Sequence, residues 1–472
     1  MRPRLISCPA AEQPGPAAII HPVTASPRSP MDNRRFRGAL LVLAATPIAG
    51  LYLWRTVVLP LAVGALPGDF SANYMAAAAK IAAGRDPYDL CSIGQGRDCI
   101  VVPGSFTPLP LAGAQYVTPP PVAWMLQPLL HVAPALQLAV VLAVLQVSVI
   151  VLLWSVLRAA GVRDWQMALL LVLVTIAFEP VAANFDEGQI NLVLAALSGV
   201  WLLGWVGGDR WWGGAALGAA VAIKLLQGPI GLLLLWGRRW RMLLAAAVAG
   251  LGLWLLAVPQ YLPEYLLKVA PVLSAGTGLF ENHSPGGTVA RLLDPGTFLG
   301  SVRDTSLVAR AITFLIALAV LAATFWVLRR PSRDRSIRGL EAAAIVAAGP
   351  LIASYSWGTH LVLLLPAMLV LLAWAIRRRD WVVVGLVSAG WLLIGPGHNW
   401  FQTLLLSGYS NLFVLRLMAE FGVVGITAVW VASLIAVRRA RSAHRPDAGH
   451  EDGADAEQHD RAREHDAVAE VG

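Results

Sequence analysis

The side chains able to carry chemistry in this chain are few, and they sit at the edges of long apolar stretches. Asp69 precedes an alanine-rich run that ends at Gly84, and Lys224 interrupts the apolar stretch 211–236. Gln189 and Asn191 follow Asp186 and Glu187, Asn282 and His283 precede Arg291, and His360 opens another apolar run. A carboxylate such as Asp69 can take a proton from a hydroxyl once partial desolvation raises its pKa. It can equally cap the exposed donors of the helix that follows it. A lysine inside a membrane segment costs about 3 kcal/mol on insertion scales, so Lys224 has a job, an internal acid as partner, or a route to the interface. The amides of Gln189 and Asn191 suit sugar hydroxyls, and suit helix-end backbone as well. Arg291 is a cation for a bound anion or a headgroup anchor, His360 a site residue or an interfacial histidine, and Asp86 the head of an Asp-Pro turn. No spacing matches a compact metal-ligand motif, so neither metal nor cofactor is expected.

The elements that must position these groups are membrane helices. Of 472 residues, 57% are hydrophobic and 14% charged, and the mean hydropathy is +0.64. That is too little charge to cover a soluble globule of this size, which makes the chain a polytopic membrane protein. The net charge of +8 does not imply a nucleic-acid partner, because more than half of the 36 Lys and Arg lie in short connections between apolar runs. These connections are Arg34 to Arg37, Arg158 to Arg163, Asp209-Arg210, Arg238 to Arg241, Arg329 to Arg338, Arg377 to Arg379 and Arg438 to Arg441. They alternate with connections carrying Asp, Glu, His and Asn. By the positive-inside rule the arginine set is cytoplasmic and the second set, Asp69, Asp86, Asp186, Glu187, Glu281, His283, His360 and His398 among it, is extracytoplasmic. Most of the 18 Trp fall near segment ends, as interfacial anchors do.

Spans of about 20 residues are expected near 39–61, 136–157, 166–183, 190–206, 242–258, 307–328, 341–356, 361–376, 381–396 and 411–437. The stretch 211–236 reads instead as two half-helices meeting at membrane depth, since Gly228-Pro229 follows Lys224 closely. Residues 1–35 read as a disordered leader or a mis-called start, 36–438 as one transmembrane domain, and 439–472 as a disordered cytoplasmic tail. External loops are expected at about 62–135 and 259–306. The first contains a short segment, 121–133, that is interfacial or re-entrant, with a short true span as its rival. The second holds an amphipathic surface helix after Gly286-Gly287. Cys91 and Cys99 fall in the first loop, where an oxidising compartment could close a small disulfide clip.

Taken in order, Asp69-Phe-x-x-x-Tyr74, Ala-Gly-x-Asp-Pro-Tyr up to Tyr88, Pro119 to Pro121, Gly188-Gln-Ile-Asn191, Ile223-Lys224 before Gly228-Pro229, Asn282-His-Ser284 before Arg291, and Ser356-Trp-Gly-Thr-His360 resemble the polyprenol-phosphate-sugar-dependent glycosyltransferases of family 87. That resemblance implies an all-α GT-C-type transmembrane helix bundle with short extracytoplasmic surface helices. It implies that Asp69 is the catalytic carboxylate and favours a site role for His360; with His360, Lys224 and Arg291 are the candidates for the donor phosphate, and Tyr74, Gln189, Asn191, Asn282 and His283 those for sugar or acceptor. Two departures stand out: Tyr116 is displaced from Pro119-Pro120, and the usual Lys-x-x-Pro is stretched to Lys224–Pro229.

The activity so implied is inverting transfer of a sugar, with mannose expected, from a polyprenyl-phosphate donor to a glycolipid or lipid-anchored glycan at the outer face of the cell membrane. A single base with in-line attack needs no second carboxylate nucleophile. The same enzyme class using polyprenyl-phosphate arabinose is an alternative. A transporter or flippase of lipid-linked sugars also accounts for the spans and Lys224, but leaves Asp69 and the asymmetric loops without a role.

Overall fold

The computed structural model describes residues 34–88, 116–298, 305–329 and 331–443, and these are helical throughout with no strand among them. The leader, the charged tail and the Cys91–Cys99 pair lie outside the described residues. The chain enters on α1 (Arg34–Leu53), continued by a wide turn at Trp54–Val58 and by Leu59–Val63. A second wide turn, Phe70–Met75, opens the surface helix α2 (Ala76–Ala82), which stops where Gly84 takes a left-handed φ of 69°. After the proline-started α3 (Pro120–Leu126) come α4 (Pro134–Ala159), α5 (Trp165–Ile176), α6 (Glu179–Glu187) and α7 (Asn191–Val206). Next are α8 (Trp211–Ile223), α9 (Gly228–Trp236) and α10 (Trp240–Ala257), then the surface helix α11 (Pro285–Leu293). The remainder comprises α12 (Leu307–Val327), α13 (Arg335–Ile352), α14 (Leu365–Arg378), α15 (Trp381–Ile394), α16 (Pro396–Leu406), α17 (Leu412–Ala419) and α18 (Phe421–Ser442).

Among the described residues seven helical stretches are long and apolar enough to cross a membrane, and the α5–α6 pair, bent by 49°, adds an eighth if it is one broken span. The other two expected spans are α7, of 16 residues, and α13, whose first turns carry buried Arg338 and Glu341. The expected continuous span at 166–183 is broken because Pro180 has no N–H to continue α5 and clashes with the preceding turn. Likewise 411–437 divides at Glu420 into α17 and α18.

The arginine connections meet at one end of the bundle. Arg239 and Arg338 both reach Asp209, Arg335 donates to the Arg158 carbonyl and Arg377 to that of Ala160, Arg439 pairs with Asp380, and Arg441 with Glu341. Packing direction fixes the path between 211 and 240. Gly214 lies against Met242 and Gly218 against Ala246, so α8 and α10 run parallel from the same end, and α9 must run back between them. The stretch 211–236 is therefore a re-entrant hairpin, and small residues allow the close α8–α10 contact. Each leg that starts in an arginine segment delivers its far end to the opposite side, and the chemistry-bearing residues are concentrated there.

Candidate active site

Asp69 does not cap the helix after it, since its carboxylate makes no backbone cap hydrogen bond. Instead Asn73 Nδ2 donates to Oδ1 at 3.0 Å, and the Gln189 side-chain amide donates to Oδ2. Tyr74 fixes that amide, because its hydroxyl donates to Gln189 Oε1 at 2.8 Å and leaves the NH2 group facing Asp69. Phe70 and Tyr74 are buried, which locks the turn that carries the carboxylate. Burial pushes the Asp69 carboxyl above the usual range, while the Gln189 hydrogen bond and the Lys224 charge pull it back down. Glu281, nearby, is also raised by burial and by the Asp69 charge.

Lys224 sits where the hairpin breaks, in an extended conformation (φ −156°, ψ 120°) that ends α8. Its Nζ donates to Asn191 Oδ1 at 3.0 Å and lies 2.7 Å from His360 Nε2. The Trp357 N–H points at His360 Nδ1 at 3.3 Å, which puts the proton of a neutral ring on Nε2. Two donors cannot satisfy each other, so in this contact one group must act as acceptor: a neutral Lys224 amine, or the alternative tautomer of His360.

Asp69, Tyr74, Gln189, Lys224 and His360 line one cavity of about 310 Å³. Asn191 stands behind it, in contact with Lys224. The remaining expected site residues are elsewhere. Arg291 is enclosed by Glu420 Oε1 (2.8 Å) and the carbonyls of Leu279 and Asn282 (both 3.0 Å). Asn282 spends its amide on Thr277 O, Ser354 O, Ser284 N and Ser356 N, which makes it a pin between two loops. His283 is buried against Gly422. Neither Arg291, Asn282 nor His283 lines the cavity. Asp86 accepts from Tyr88 N at 2.9 Å, as an Asp-Pro turn requires. Tyr116 donates to Pro119 O and accepts from Ala123 N while stacking on Tyr88.

The cavity also contains residues that sequence reasoning passed over or did not assign: Arg55, Glu179, Glu187, Tyr355, Asn399 and Gln402. Among the described residues no group of His, Cys, Asp and Glu is arranged to hold a metal ion.

Residues 116–354 match the model of Glycosyltransferase family 87. The chain belongs to glycosyltransferase family 87. This decides between the enzyme and carrier readings of the sequence in favour of a membrane glycosyltransferase. The family 87 match takes in Gln189, Asn191, Lys224 and Arg291, whereas Asp69 and His360 lie on either side of it. The chain is 30% identical over 297 residues to the polyprenol-phosphate-mannose-dependent alpha-(1-2)-phosphatidylinositol pentamannoside mannosyltransferase of Mycolicibacterium smegmatis, covering 58% of this chain and 68% of that one. It is 31% identical over 306 residues to the corresponding phosphatidylinositol mannoside mannosyltransferase of Mycobacterium tuberculosis, covering 61% and 67%. Among solved structures it is similar to ArnT from Cupriavidus metallidurans bound to undecaprenyl phosphate, at 12% identity and a TM-score of 0.38, over 86% of this chain and 77% of that one.

Proposed function

We propose that this family 87 enzyme moves mannose from a polyprenyl-phosphate donor to a hydroxyl of a glycolipid, with inversion, at the extracytoplasmic face of the cell membrane. The observation that carries the reading is the shared cavity: a half-buried carboxylate held by two amides, together with a Lys224–His360 pair whose donors converge. Asp69 takes the proton of the acceptor hydroxyl, the oxygen attacks the anomeric carbon, and the bond to phosphate breaks with its electron pair going to the leaving group. The donor is a phosphodiester with one negative charge and the product polyprenyl phosphate gains a second. Lys224 and His360 act on that developing charge, and a phosphate oxygen, an acceptor only, satisfies both donors at once. The names of the two mannosyltransferase relatives support mannose over arabinose and a phosphatidylinositol mannoside type of acceptor. Segregation of the arginine connections to the other end supports the extracytoplasmic side.

The test is purified enzyme in lipid discs, given polyprenyl-phosphate [14C]mannose and octyl α-mannoside. Transfer is expected, with an inverted anomeric linkage by NMR. Asp69→Asn is expected to lower kcat by roughly 10²–10⁴-fold, the range for loss of a general base, with donor binding retained. Full transfer by the variant, or a retained linkage, sinks the mechanism.

A further inference from the structure

A second polar cluster lines the same cavity and has no part in the chemistry above. Arg55 lies eight residues before Val63, the end of the first leg, which at 1.5 Å per residue is about 12 Å below its outer terminus. An ionised residue at that depth is costly and by default functional. Its guanidinium is held twice: Nη1 and Nη2 reach the Glu179 carboxylate at 2.7 and 2.6 Å, and Nε reaches Asp186 at 3.0 Å. The three side chains keep 33%, 17% and 38% of their surface, so the cluster is open to the cavity. On α16, Asn399 and Gln402 stand three residues apart on one helical face and line that cavity too.

We propose that Arg55, Glu179 and Asp186, with Asn399 and Gln402, form the subsite for the neutral sugar of the acceptor. The proposal rests on the transferase reading. Charge selects the ligand: one guanidinium against two carboxylates leaves a net negative patch, which repels phosphate. Fixed donors and acceptors in alternation, flanked by two amides, are what vicinal hydroxyls of a polyol require. The cavity thus divides its labour, with the donor phosphate at Lys224 and His360 and the acceptor sugar at the Arg55 cluster.

The experiment measures initial rates of the full-length enzyme while octyl α-mannoside and polyprenyl-phosphate mannose are varied separately. Asn399→Ala and Gln402→Ala, on a half-buried helix face, are each expected to raise the acceptor KM about 5- to 10-fold, the loss of one hydrogen bond, with the donor KM within about twofold. Glu179→Gln is expected to raise the acceptor KM about tenfold. A fall in acceptor KM for Glu179→Gln indicates an anion subsite and overturns the polyol assignment, as does a rise in donor KM alone or no change in any variant. Should wild-type enzyme transfer no mannose, the transferase reading fails separately. Equilibrium binding of octyl α-mannoside, expected for wild type and weakened by Gln402→Ala, then decides the subsite by itself.

Discussion

Replacing Lys224 by Met removes the charge while keeping an unbranched chain of similar length, so the packing at the hairpin break is preserved. The wild-type ammonium faces Asn191 Oδ1 at 3.0 Å and His360 Nε2 at 2.7 Å, inside the cavity that also holds Asp69. If it meets the leaving phosphate, its interaction strengthens as the second negative charge develops. Removing one such preorganised donor costs about 2.7–4 kcal/mol, which at 1.36 kcal/mol per decade is roughly a 10²- to 10³-fold loss. The loss should fall on kcat, because the interaction grows between ground and transition states. A second effect is independent of the first. The Lys224 charge helps hold the Asp69 carboxyl down, so without it the carboxyl rises further and the acid limb of the pH–rate profile moves to higher pH. The assay is initial-rate transfer from radiolabelled donor across a pH series, beside a thermal unfolding control. His360→Gln combined with Lys224→Met should cost less than the two single losses summed, since both act on one phosphate. A Lys224→Met enzyme with unchanged kcat and a raised donor KM would refute the argument, as would an acid limb that stays in place.

Gln189→Leu removes a donor that pulls the Asp69 carboxyl down, so the acid limb of kcat/KM should shift upward while the alkaline limb stays; an unshifted acid limb in a pH profile counts against Asp69 as the base. Gly218→Ala drives a Cβ into the Ala246 carbonyl oxygen, so α8 and α10 must separate. Overpacking of this kind costs about 1–3 kcal/mol and should appear as a lower unfolding temperature. Arg291→Met breaks an ion pair in which Arg291 is buried and Glu420 keeps 25% of its side chain exposed. The cost is expected near the low end for buried pairs, about 3 kcal/mol. That loss should be seen in stability, with the kcat of the folded fraction within about twofold; a selective rise in donor KM would return Arg291 to the phosphate.

The alternation of arginine and acidic connections made the two ends of the bundle legible before any coordinate. Lys224 next to Gly228-Pro229 likewise marked the hairpin, because breaking a helix at membrane depth leaves few chemical reasons for doing so. Proximity between distant segments was less accessible. Asn282 and His283, in a loop, and Arg291, on α11, sit in sequence that looks like a binding segment, and only the fold shows that Asn282 bonds to Ser354 and Ser356, that Arg291 pairs with Glu420, and that none of the three lines the cavity. Arg55 was readable in principle, since the cost argument applied to Lys224 applies equally to an arginine in the first leg. Asn399 and Gln402 carried no signal, as two amides near a turn acquire meaning only when α16 is folded over the cavity.

The hairpin also explains how a small cavity at membrane depth can exist in so apolar a bundle. Non-helical backbone is tolerated there only where it is enclosed by protein or lines a polar space. At Lys224 the chain leaves α8, and a short 3-10 turn at Leu225–Gln227 carries it into α9. The backbone stays partly satisfied, with Lys224 N–H donating to Ala220 O and Gln227 N–H reaching the Lys224 carbonyl at 3.5 Å. A continuous helix through this point would carry the lysine at one fixed register and fill the space with the following turn. Ending α8 here, with Gly214 and Gly218 drawing it tightly against α10, leaves the ammonium at the tip of a half-helix beside Asn191 and His360. The close glycine packing and the cationic tip are therefore parts of one device: α8 is held rigidly against its neighbour so that its free end can present a charge without a covering turn.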